Sequence, residues 1–268
     1  MARQDFDRIL SFEVYEHQRD LSARELTLAG NAEDEIAPMS RDEAYIRNYL
    51  AYHGLVTVPQ DVPHWTMRMA PQYLIAFDGF GELDDFTGPS RLHQDGTRWI
   101  LPPSQNSPYF HKAYAQDTRT TGVHEGVPGH FFQLSLAWRS PDPIRRQYYD
   151  SGANEGIGFY IEEMMLQAGL FDDSPRSREI IYIARLRALR VEVDVKLSLG
   201  EFTIDKAADY LARTVPMDRK TAESEAASFA TAPGLAISYE TGKLQIERLL
   251  ADRRLLSSID VPISAMSC

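Results

Sequence analysis

The organising stretch of this chain is HEGVPGH, residues 124–130. It offers two imidazoles, His124 and His130, and one carboxylate, Glu125. A further carboxylate follows downstream in Asn154-Glu155-Gly156. Two neutral imidazoles and one carboxylate suit a three-ligand zinc site with a position left open for water. We therefore expect His124, His130 and Glu155 to hold one divalent metal, and Glu125 to take a proton from the metal's water.

The six-residue spacing of the two histidines conflicts with a regular helix. Residues six apart on a helix point about 120° away from each other. Pro128 removes a backbone donor and clashes with the preceding turn, and Gly129 can adopt a positive φ. The pair predicts a bulge of about two residues in a metal helix over 117–138, which returns His130 to the side of His124. A costly pair in mid-helix is typical of a functional site.

The composition is that of an ordinary globular protein of 268 residues, with 43% hydrophobic and 25% charged residues. No linker, repeat or low-complexity tract divides it, so we expect a single domain over residues 1–268. The net charge of −11 argues against nucleic acid or a membrane as a partner. A homo-oligomer stays open.

The chain shows no features of export. No apolar run is as long as a membrane span, and the segment MARQDFDRIL at the start lacks the apolar region of a signal peptide. The only cysteine is Cys268, which excludes an intrachain disulfide and a cysteine-rich metal site. We therefore expect a cytoplasmic protein.

Apolar residues recur at helical spacing through most of the chain, so we expect a mainly α fold. Helices are predicted over residues 1–30, 41–53, 117–138, 155–169, 203–214, 218–229 and 235–256, after Asp142-Pro143, and from Ser174-Pro175 onward. Prolines and glycines interrupt residues 56–107. Two short runs there, 73–76 and 97–101, predict a small antiparallel β-ribbon near the active site.

The motifs resemble those of one family. Residues 124–133, HEGVPGHFFQ, resemble the HExxPGHxxQ signature of the DUF885 proteins, zincin-like helical proteins regarded as metal-dependent peptidases or carboxypeptidase relatives. Residues 155–162 resemble its EGWALYAE motif, residues 187–198 its RxxRxxxDxGLH motif and residues 225–242 its ExxRYxxxPGQAxSYxxG motif. Four motifs in the same order make the resemblance specific, and the chain resembles the C-terminal, catalytic half of the family.

The resemblance implies the same metal ligands and base, and it adds Tyr239 as a donor to the oxyanion of a tetrahedral intermediate. The alternative for Tyr239 is a buried structural tyrosine. It also implies that Glu162 and Asp194 orient the imidazoles. The alternative for Glu162, which has Glu163 beside it, is a solvated helix face.

Two arginines of the third motif, Arg187 and Arg190, are candidates for holding a substrate carboxylate. They could equally pair with the many acidic residues nearby. The chain also departs from the family pattern. Ser198 replaces a histidine, Ser228-Phe229 an Arg-Tyr pair, and Leu235 a glutamine. Polar groups that would line a cleft are lost, while the metal ligands remain.

The predicted function is a zinc-dependent hydrolase that cleaves an amide or ester bond in a short peptide or an acylated metabolite, with Glu125 activating the water. The alternative is a non-hydrolytic enzyme in which the same two histidines and carboxylate bind Fe²⁺ or Mn²⁺ and modify a metabolite in a biosynthetic pathway. A binding protein with a vestigial site would show degraded ligands. The intact set of ligands argues against it.

Overall fold

The structure is a computed structural model that describes most of the chain. The described residues are 30–75, 94–104, 109–174, 177, 187–215 and 217–258. The helix predicted over residues 1–30 lies outside them, as do most of the helix predicted from Ser174-Pro175 and the terminal Cys268.

The described residues are mainly helical, as the periodicity predicts. The helices are α1 (Glu33–Tyr52), α2 (Gln72–Ile75), α3 (Tyr109–Tyr114), α4 (Arg119–Glu125), α5 (His130–Ala137), α6 (Pro143–Gln147), α7 (Ser151–Gln167), α8 (Arg187–Ser198), α9 (Ile204–Thr214), α10 (Arg219–Thr231) and α11 (Leu235–Ser258). The strands are β1 (Trp65–Met69) and β2 (Gly96–Ile100). Within these ranges no helix combines the length and apolarity needed to cross a membrane.

Side-chain caps begin three helices close to where the sequence predicts them. The side chains of Asp142, Thr203 and Asp218 accept hydrogen bonds from backbone amides in the first turns of α6, α9 and α10. The first amides of a helix have no helical partner, so a polar side chain at this position stabilises the start.

The first described helix is longer than the sequence predicts. α1 begins at Glu33, whereas the acidic segment up to Pro38 predicts a break and a start near residue 41. Acidic residues occupy its first turn, where the positive end of the helix dipole favours carboxylates. Pro38 lies inside the helix, at the cost of one backbone hydrogen bond.

The two strands pair in parallel, so the predicted antiparallel ribbon is wrong. β2 covers most of the predicted run at 97–101, but its partner is β1, with Trp65 opposite Gly96. The other predicted run, 73–76, forms the short helix α2 as far as it is described. Pro71 precedes this helix, and a proline suits a helix start because its missing N–H has no helical partner there.

The organising stretch separates two helices instead of bulging one. α4 ends at Glu125 and α5 begins at His130, so residues 126–129 form a turn between them. The Val127-Pro128 peptide bond in this turn is cis. Gly129 has a φ of −83°, so the expected positive φ is wrong. Glycine is needed there because a Cβ would overlap the carbonyl oxygen of His124. The chain thus turns back against the end of α4.

Two buried apolar clusters flank this break. One joins α1, β1, β2, α4 and α5 around Trp65 and Phe131, together with the C-terminal half of α7. The other joins α8, α9 and α10 and the start of α11 around Phe159 of α7. α7 therefore contributes to both clusters.

α7 and α11 approach each other backbone to backbone. A Cβ on Gly156 would lie 2.5 Å from the Cα of Gly242, and a Cβ on Gly242 would overlap the carbonyl oxygen of Gly152. Only glycine permits so close a crossing. This approach brings Tyr239 of α11 beside Glu155 of α7.

Candidate metal centre

The break between α4 and α5 brings the two imidazoles together. His124 lies in the last turn of α4, and His130 is the first residue of α5. Their ring centroids are 4.6 Å apart, with the ring planes at 81°, and both side chains are buried. The turn therefore achieves the convergence that a straight helix denies to residues six apart.

A buried carboxylate orients the ring of His124. Nδ1 of His124 lies 2.8 Å from Oε1 of Glu162, whose side chain is 2% exposed. When Nδ1 donates this hydrogen bond, Nε2 carries the lone pair and is the atom available to a metal. This contact agrees with the predicted role of Glu162, and the solvated helix face is wrong. The neighbouring Glu163 instead pairs with Lys243 at 2.9 Å.

Two carboxylates lie beside the imidazoles. Oε2 of Glu155 is 3.7 Å from Nε2 of His130, and Oε1 of Glu125 is 4.0 Å from Nε2 of His124. Donor atoms of His124, Glu125 and His130 all lie within 4.8 Å of one another. Two ligands of one tetrahedral zinc are about 3.3 Å apart, so a small inward movement would complete a three-ligand set. The donors fit a divalent metal, and either carboxylate can be the third ligand.

Gly158 of α7 leaves room for both rings. A Cβ there would lie 2.6 Å from Cε1 of His124 and 2.9 Å from Cε1 of His130. Carbon atoms in contact are normally about 3.5–4.0 Å apart, so alanine, which the EGWALYAE motif has at this position, would require the rings to shift, and a larger residue would displace them. The position of Gly158 in the middle of a helix could have indicated a functional site from the sequence, because glycine in a helix costs about 1 kcal/mol relative to alanine.

The charges of the site keep both carboxylates ionised. Burial acts to raise the pKa of Glu155, but the adjacent imidazole of His130, the imidazole of His124 and a hydrogen bond from Tyr239 lower it to about 2. Burial likewise acts to raise the pKa of Glu125, and attraction to the imidazoles and to Arg98 lowers it overall. An ionised carboxylate can bind a cation or accept a proton.

Arg98 of β2 connects the small sheet to the site. Its guanidinium carbon lies 5.3 Å from the centroid of Trp65, and burial lowers its pKa while Glu125 and Glu35 act to raise it. Trp65 packs on Gly126, where a Cβ would lie 2.6 Å from the indole ring. The strands thus lie beside the end of α4 that carries Glu125. The prediction that they lie near the site is right, whereas the predicted antiparallel pairing is wrong.

The imidazoles and carboxylates border a cavity of about 400 Å³. Its lining residues are Tyr114, His124, Glu125, His130, Leu134, Tyr149, Asn154, Glu155, Arg190, Glu225 and Tyr239. We call the side formed by His124, Glu125, His130 and Glu155, on α4, α5 and α7, the metal-side wall. We call the side formed by Arg190, Glu225 and Tyr239, on α8, α10 and α11, the far wall.

Tyr239 reaches the metal-side wall from the far wall. Its hydroxyl donates a hydrogen bond to Glu155, and its ring meets Phe159 edge-on at a centroid distance of 6.4 Å. The residue is half-buried and lines the cavity. Tyr239 therefore borders the cavity and contacts Glu155, and its role as an oxyanion donor stays a prediction.

Arg190 also lines the cavity, but it is ion-paired. Its Nη2 lies 2.7 Å from Oε2 of Glu225, and its guanidinium carbon lies 5.2 Å and 5.1 Å from the ring centroids of Phe229 and Tyr239. Of the two roles predicted for Arg190, binding a substrate carboxylate or pairing with a nearby acidic residue, the structure shows the second. The side chain of Arg187 lies outside the described part of the chain.

Asp194 has a different partner from the predicted one. Its carboxylate accepts hydrogen bonds from the N–H of Gly234 at 2.9 Å and 3.1 Å and from the hydroxyl of Ser198 at 3.4 Å. The prediction that it orients an imidazole is wrong, because it lies at the turn between α10 and α11. Gly234 has a φ of 88° in that turn. Asp194 thus anchors the two helices that carry Glu225 and Tyr239.

Among the cavity residues to which the sequence analysis gave no role are three polar ones, Tyr149, Asn154 and Glu225. Asn154 donates a hydrogen bond to the hydroxyl of Tyr149 at 3.0 Å. Burial raises the pKa of Tyr149, and repulsion from Glu155 and Glu125 adds to the effect, so its hydroxyl stays protonated. Asn154 directly precedes the predicted ligand Glu155, and Glu225 is the first residue of the fourth motif, so both could have been proposed as site residues from the sequence. No sequence pattern points to Tyr149.

Solved structures share this fold. One, from Colwellia psychrerythraea and described as a "putative lipoprotein", has a TM-score of 0.71 and 21% identity over 94% of this chain and 43% of that one. Another, from Shewanella oneidensis and described as a "putative lipoprotein of unknown function", has a TM-score of 0.75 and 18% identity over 98% of this chain and 51% of that one. The chain spans about half the length of these two structures.

Among curated proteins, none matches this chain. The sequence profile of DUF885, described as bacterial protein of unknown function, matches residues 67–258. That range covers more than half of the chain and contains all four motifs, which confirms the resemblance drawn from them. The chain belongs to the DUF885 family.

Proposed function

We propose that this protein is a metal-dependent hydrolase that cleaves an amide or ester bond in a small substrate. The observation that carries the proposal is the convergence of two buried imidazoles, 4.6 Å apart, and two carboxylates on one cavity wall. The contact between His124 and Glu162 leaves Nε2 of His124 available there. Hydrolytic zinc sites use such donors with a carboxylate base beside them.

His124, His130 and Glu155 would hold the metal, and Glu125 would stay unligated. The role of Glu155 comes from the motif resemblance; its Oε2 lies 3.7 Å from Nε2 of His130, while the donor atoms that all lie within 4.8 Å of one another are those of His124, Glu125 and His130. Zinc is the ion we expect for these donors. When bound, the ion would lower the pKa of water and withdraw electron density from the substrate's carbonyl oxygen.

Glu125 accepts a proton from the attacking water. The water oxygen bonds to the carbonyl carbon, and the C–N or C–O bond to the leaving group breaks. Glu125 then passes the proton to the leaving nitrogen or oxygen, so the products are a carboxylic acid and an amine or alcohol. The lowered pKa of Glu125 in the free protein means that it begins as a proton acceptor.

Tyr239 donates a hydrogen bond to the negative charge that develops on the carbonyl oxygen. Its hydroxyl already lines the cavity and donates to Glu155. A hydroxyl has a single proton, so this donation requires the O–H to turn from Glu155 to the carbonyl oxygen as the charge develops.

The cavity favours a small substrate. Its volume of about 400 Å³ is near the lower end of the roughly 300–1,000 Å³ range of small-molecule sites. A dipeptide-like or acylated metabolite fits this size. The net charge of −11 argues against nucleic acid as a partner.

The same donors suit a second class of reaction. Two histidines and one carboxylate also hold Fe²⁺ in non-haem oxygenases. Such an enzyme, with iron or manganese, would modify a metabolite and consume oxygen. The position of Glu125 beside the imidazoles favours hydrolysis, because water activation requires a base.

A matched pair of variants tests the roles of the two carboxylates. Glu125→Gln should keep about one zinc per chain and lose at least about 100-fold in turnover of a panel of dipeptides and N-acetyl amino acids. Glu155→Gln should lose at least about tenfold in zinc affinity. Elemental analysis of protein purified without chelator measures the metal, and His124→Ala is the metal-free control.

The opposite pattern would exchange the roles of the two carboxylates. Full activity in Glu125→Gln would exclude the water-activation mechanism. Bound iron or manganese with consumption of oxygen would favour the second class. If the protein binds none of the three ions when each is offered, both classes are rejected.

We also propose a cytoplasmic location, on composition alone. The two similar structures are described as lipoproteins, and at 21% and 18% identity that description stays with them. Fractionation of the native cells tests the location, with recovery in the membrane fraction as the contrary result.

A further inference from the structure

A second, smaller cavity adjoins the metal cavity. Its volume is about 160 Å³, and it shares Arg190, Glu225 and Tyr239 with the larger one. The two cavities are therefore neighbours that meet at the far wall.

The remaining lining of the side cavity is largely apolar. It consists of Ser228, Phe229, Ala232, Leu235 and Ala236. Phe229 and Ala236 are buried, while Ser228 and Leu235 are exposed at the rim. None of these five side chains is ionisable, whereas Arg190, Glu225 and Tyr239 at the far wall are polar, so the end of the cavity formed by these five suits an apolar group.

The far wall carries no net charge to attract an ion, because Nη2 of Arg190 is paired with Oε2 of Glu225 at 2.7 Å. The guanidinium carbon of Arg190 also lies 5.2 Å and 5.1 Å from the ring centroids of Phe229 and Tyr239. A substrate carboxylate would have to compete with Glu225 for the guanidinium. Apolar shape is therefore the property that this side of the site can select.

We propose that the side cavity is a specificity pocket that takes an apolar substituent next to the bond cleaved at the metal centre. This inference rests on the proposed hydrolase function. A protein cavity of roughly 150 Å³ can hold benzene, so the substituent is a branched alkyl or phenyl group. The substrate class is an amide or ester whose acyl or amino part carries such a group.

The departures from the family motif fall on this same cavity. Ser228, Phe229 and Leu235 stand where the motif has arginine, tyrosine and glutamine, and all three line it. A serine in place of arginine leaves space at the rim, and a leucine in place of glutamine removes an amide. The three changes together make this side of the site smaller in side-chain volume and less polar.

Two hydroxamates test the proposal on zinc-loaded protein. Acetohydroxamate and isocaproyl hydroxamate share the zinc-chelating group and differ only in the branched alkyl chain. Isothermal calorimetry should show at least about tenfold tighter binding of the isocaproyl compound, because its extra carbons are buried in the side cavity. Equal affinities would overturn the specificity pocket and leave the metal centre intact. Failure of both compounds to bind would reject the proposed function, and this inference with it.

A matched pair of variants tests whether the gain in affinity of the isocaproyl compound over acetohydroxamate arises in the side cavity. Ser224 and Ser228 are exposed residues one turn apart on α10, and of the two only Ser228 lines the side cavity. Ser228→Arg should reduce the gain to less than about threefold while leaving acetohydroxamate binding unchanged. Ser224→Arg should leave both affinities unchanged. A full tenfold gain in Ser228→Arg would place the alkyl chain elsewhere and overturn the proposal.

Discussion

The metal-side wall and the far wall of the cavity are built in opposite ways. The metal-side wall comes from a compact part of the sequence, and backbone packing at Gly129 and Gly158 holds its rings together. The far wall brings together three residues that are distant in sequence. An ion pair between Arg190 and Glu225 and stacking on Tyr239 hold it in place.

This difference separates two properties of the site. The metal-side wall has little spare room, because a Cβ at Gly158 would lie 2.6 Å from Cε1 of His124 and 2.9 Å from Cε1 of His130. The far wall consists of the side chains of Arg190, Glu225 and Tyr239, which contact one another through an ion pair and a ring contact. The residues of both walls match the family motifs, whereas the departures Ser228, Phe229 and Leu235 lie next to the far wall.

The largest expected effect comes from filling the space beside the imidazoles. Gly158→Val should lower zinc affinity by at least about 100-fold, because the new side chain pushes His124 and His130 out of position. Competition with a chromophoric chelator measures the affinity. Gly152→Ala on the same helix is the control, since its Cβ would meet only the movable side chain of Asp150, at 3.0 Å. Normal zinc affinity in Gly158→Val would show that the packing around the rings is dispensable.

A smaller effect is expected from the carboxylate behind His124. Glu162→Gln should lower zinc affinity by about tenfold, because the neutral amide orients the ring less strongly. Glu163→Gln, the adjacent change, should lower thermal stability by weakening the pair with Lys243 and leave zinc affinity unchanged. Equal zinc affinities in the two variants would contradict the role of Glu162.

The smallest effect concerns the hydrogen bond that joins the two walls. Tyr239→Phe should keep zinc affinity within about threefold and lower turnover by about tenfold, the worth of one hydrogen bond to a charged group. Steady-state kinetics and chelator competition on the same preparation separate the two quantities. A loss of zinc without a loss of turnover per bound zinc would make Tyr239 a support for Glu155 alone.

Much of the helical fold and the chemistry of the metal-side wall could be predicted from short patterns. The run at 191–197 alternates like a strand, yet it is helical because Leu189 and Val193 continue one buried stripe. His124, Glu125 and His130 lie within seven residues, so their convergence required only a break in the helix. Local spacing is sufficient where the partners are local.

Partners that are distant in sequence could not be predicted in this way. Glu162 and Glu163 are adjacent in sequence, but one holds an imidazole and the other a lysine, because the helix turns about 100° between them. Asp194 matches its motif and contacts the turn before α11 rather than a histidine. The pairing of Arg190 with Glu225 likewise depends on how α8 packs on α10.

The sequence by itself determined a mainly helical protein of the DUF885 family, with its histidines and carboxylates on either side of a Pro-Gly break. Only the tertiary structure decided that the strands are parallel and that Gly129 is needed for a close approach rather than a positive φ. It also decided that the motif departures share one side cavity. Periodicity and motif spacing describe neighbours along one element, whereas these features depend on which elements pack together.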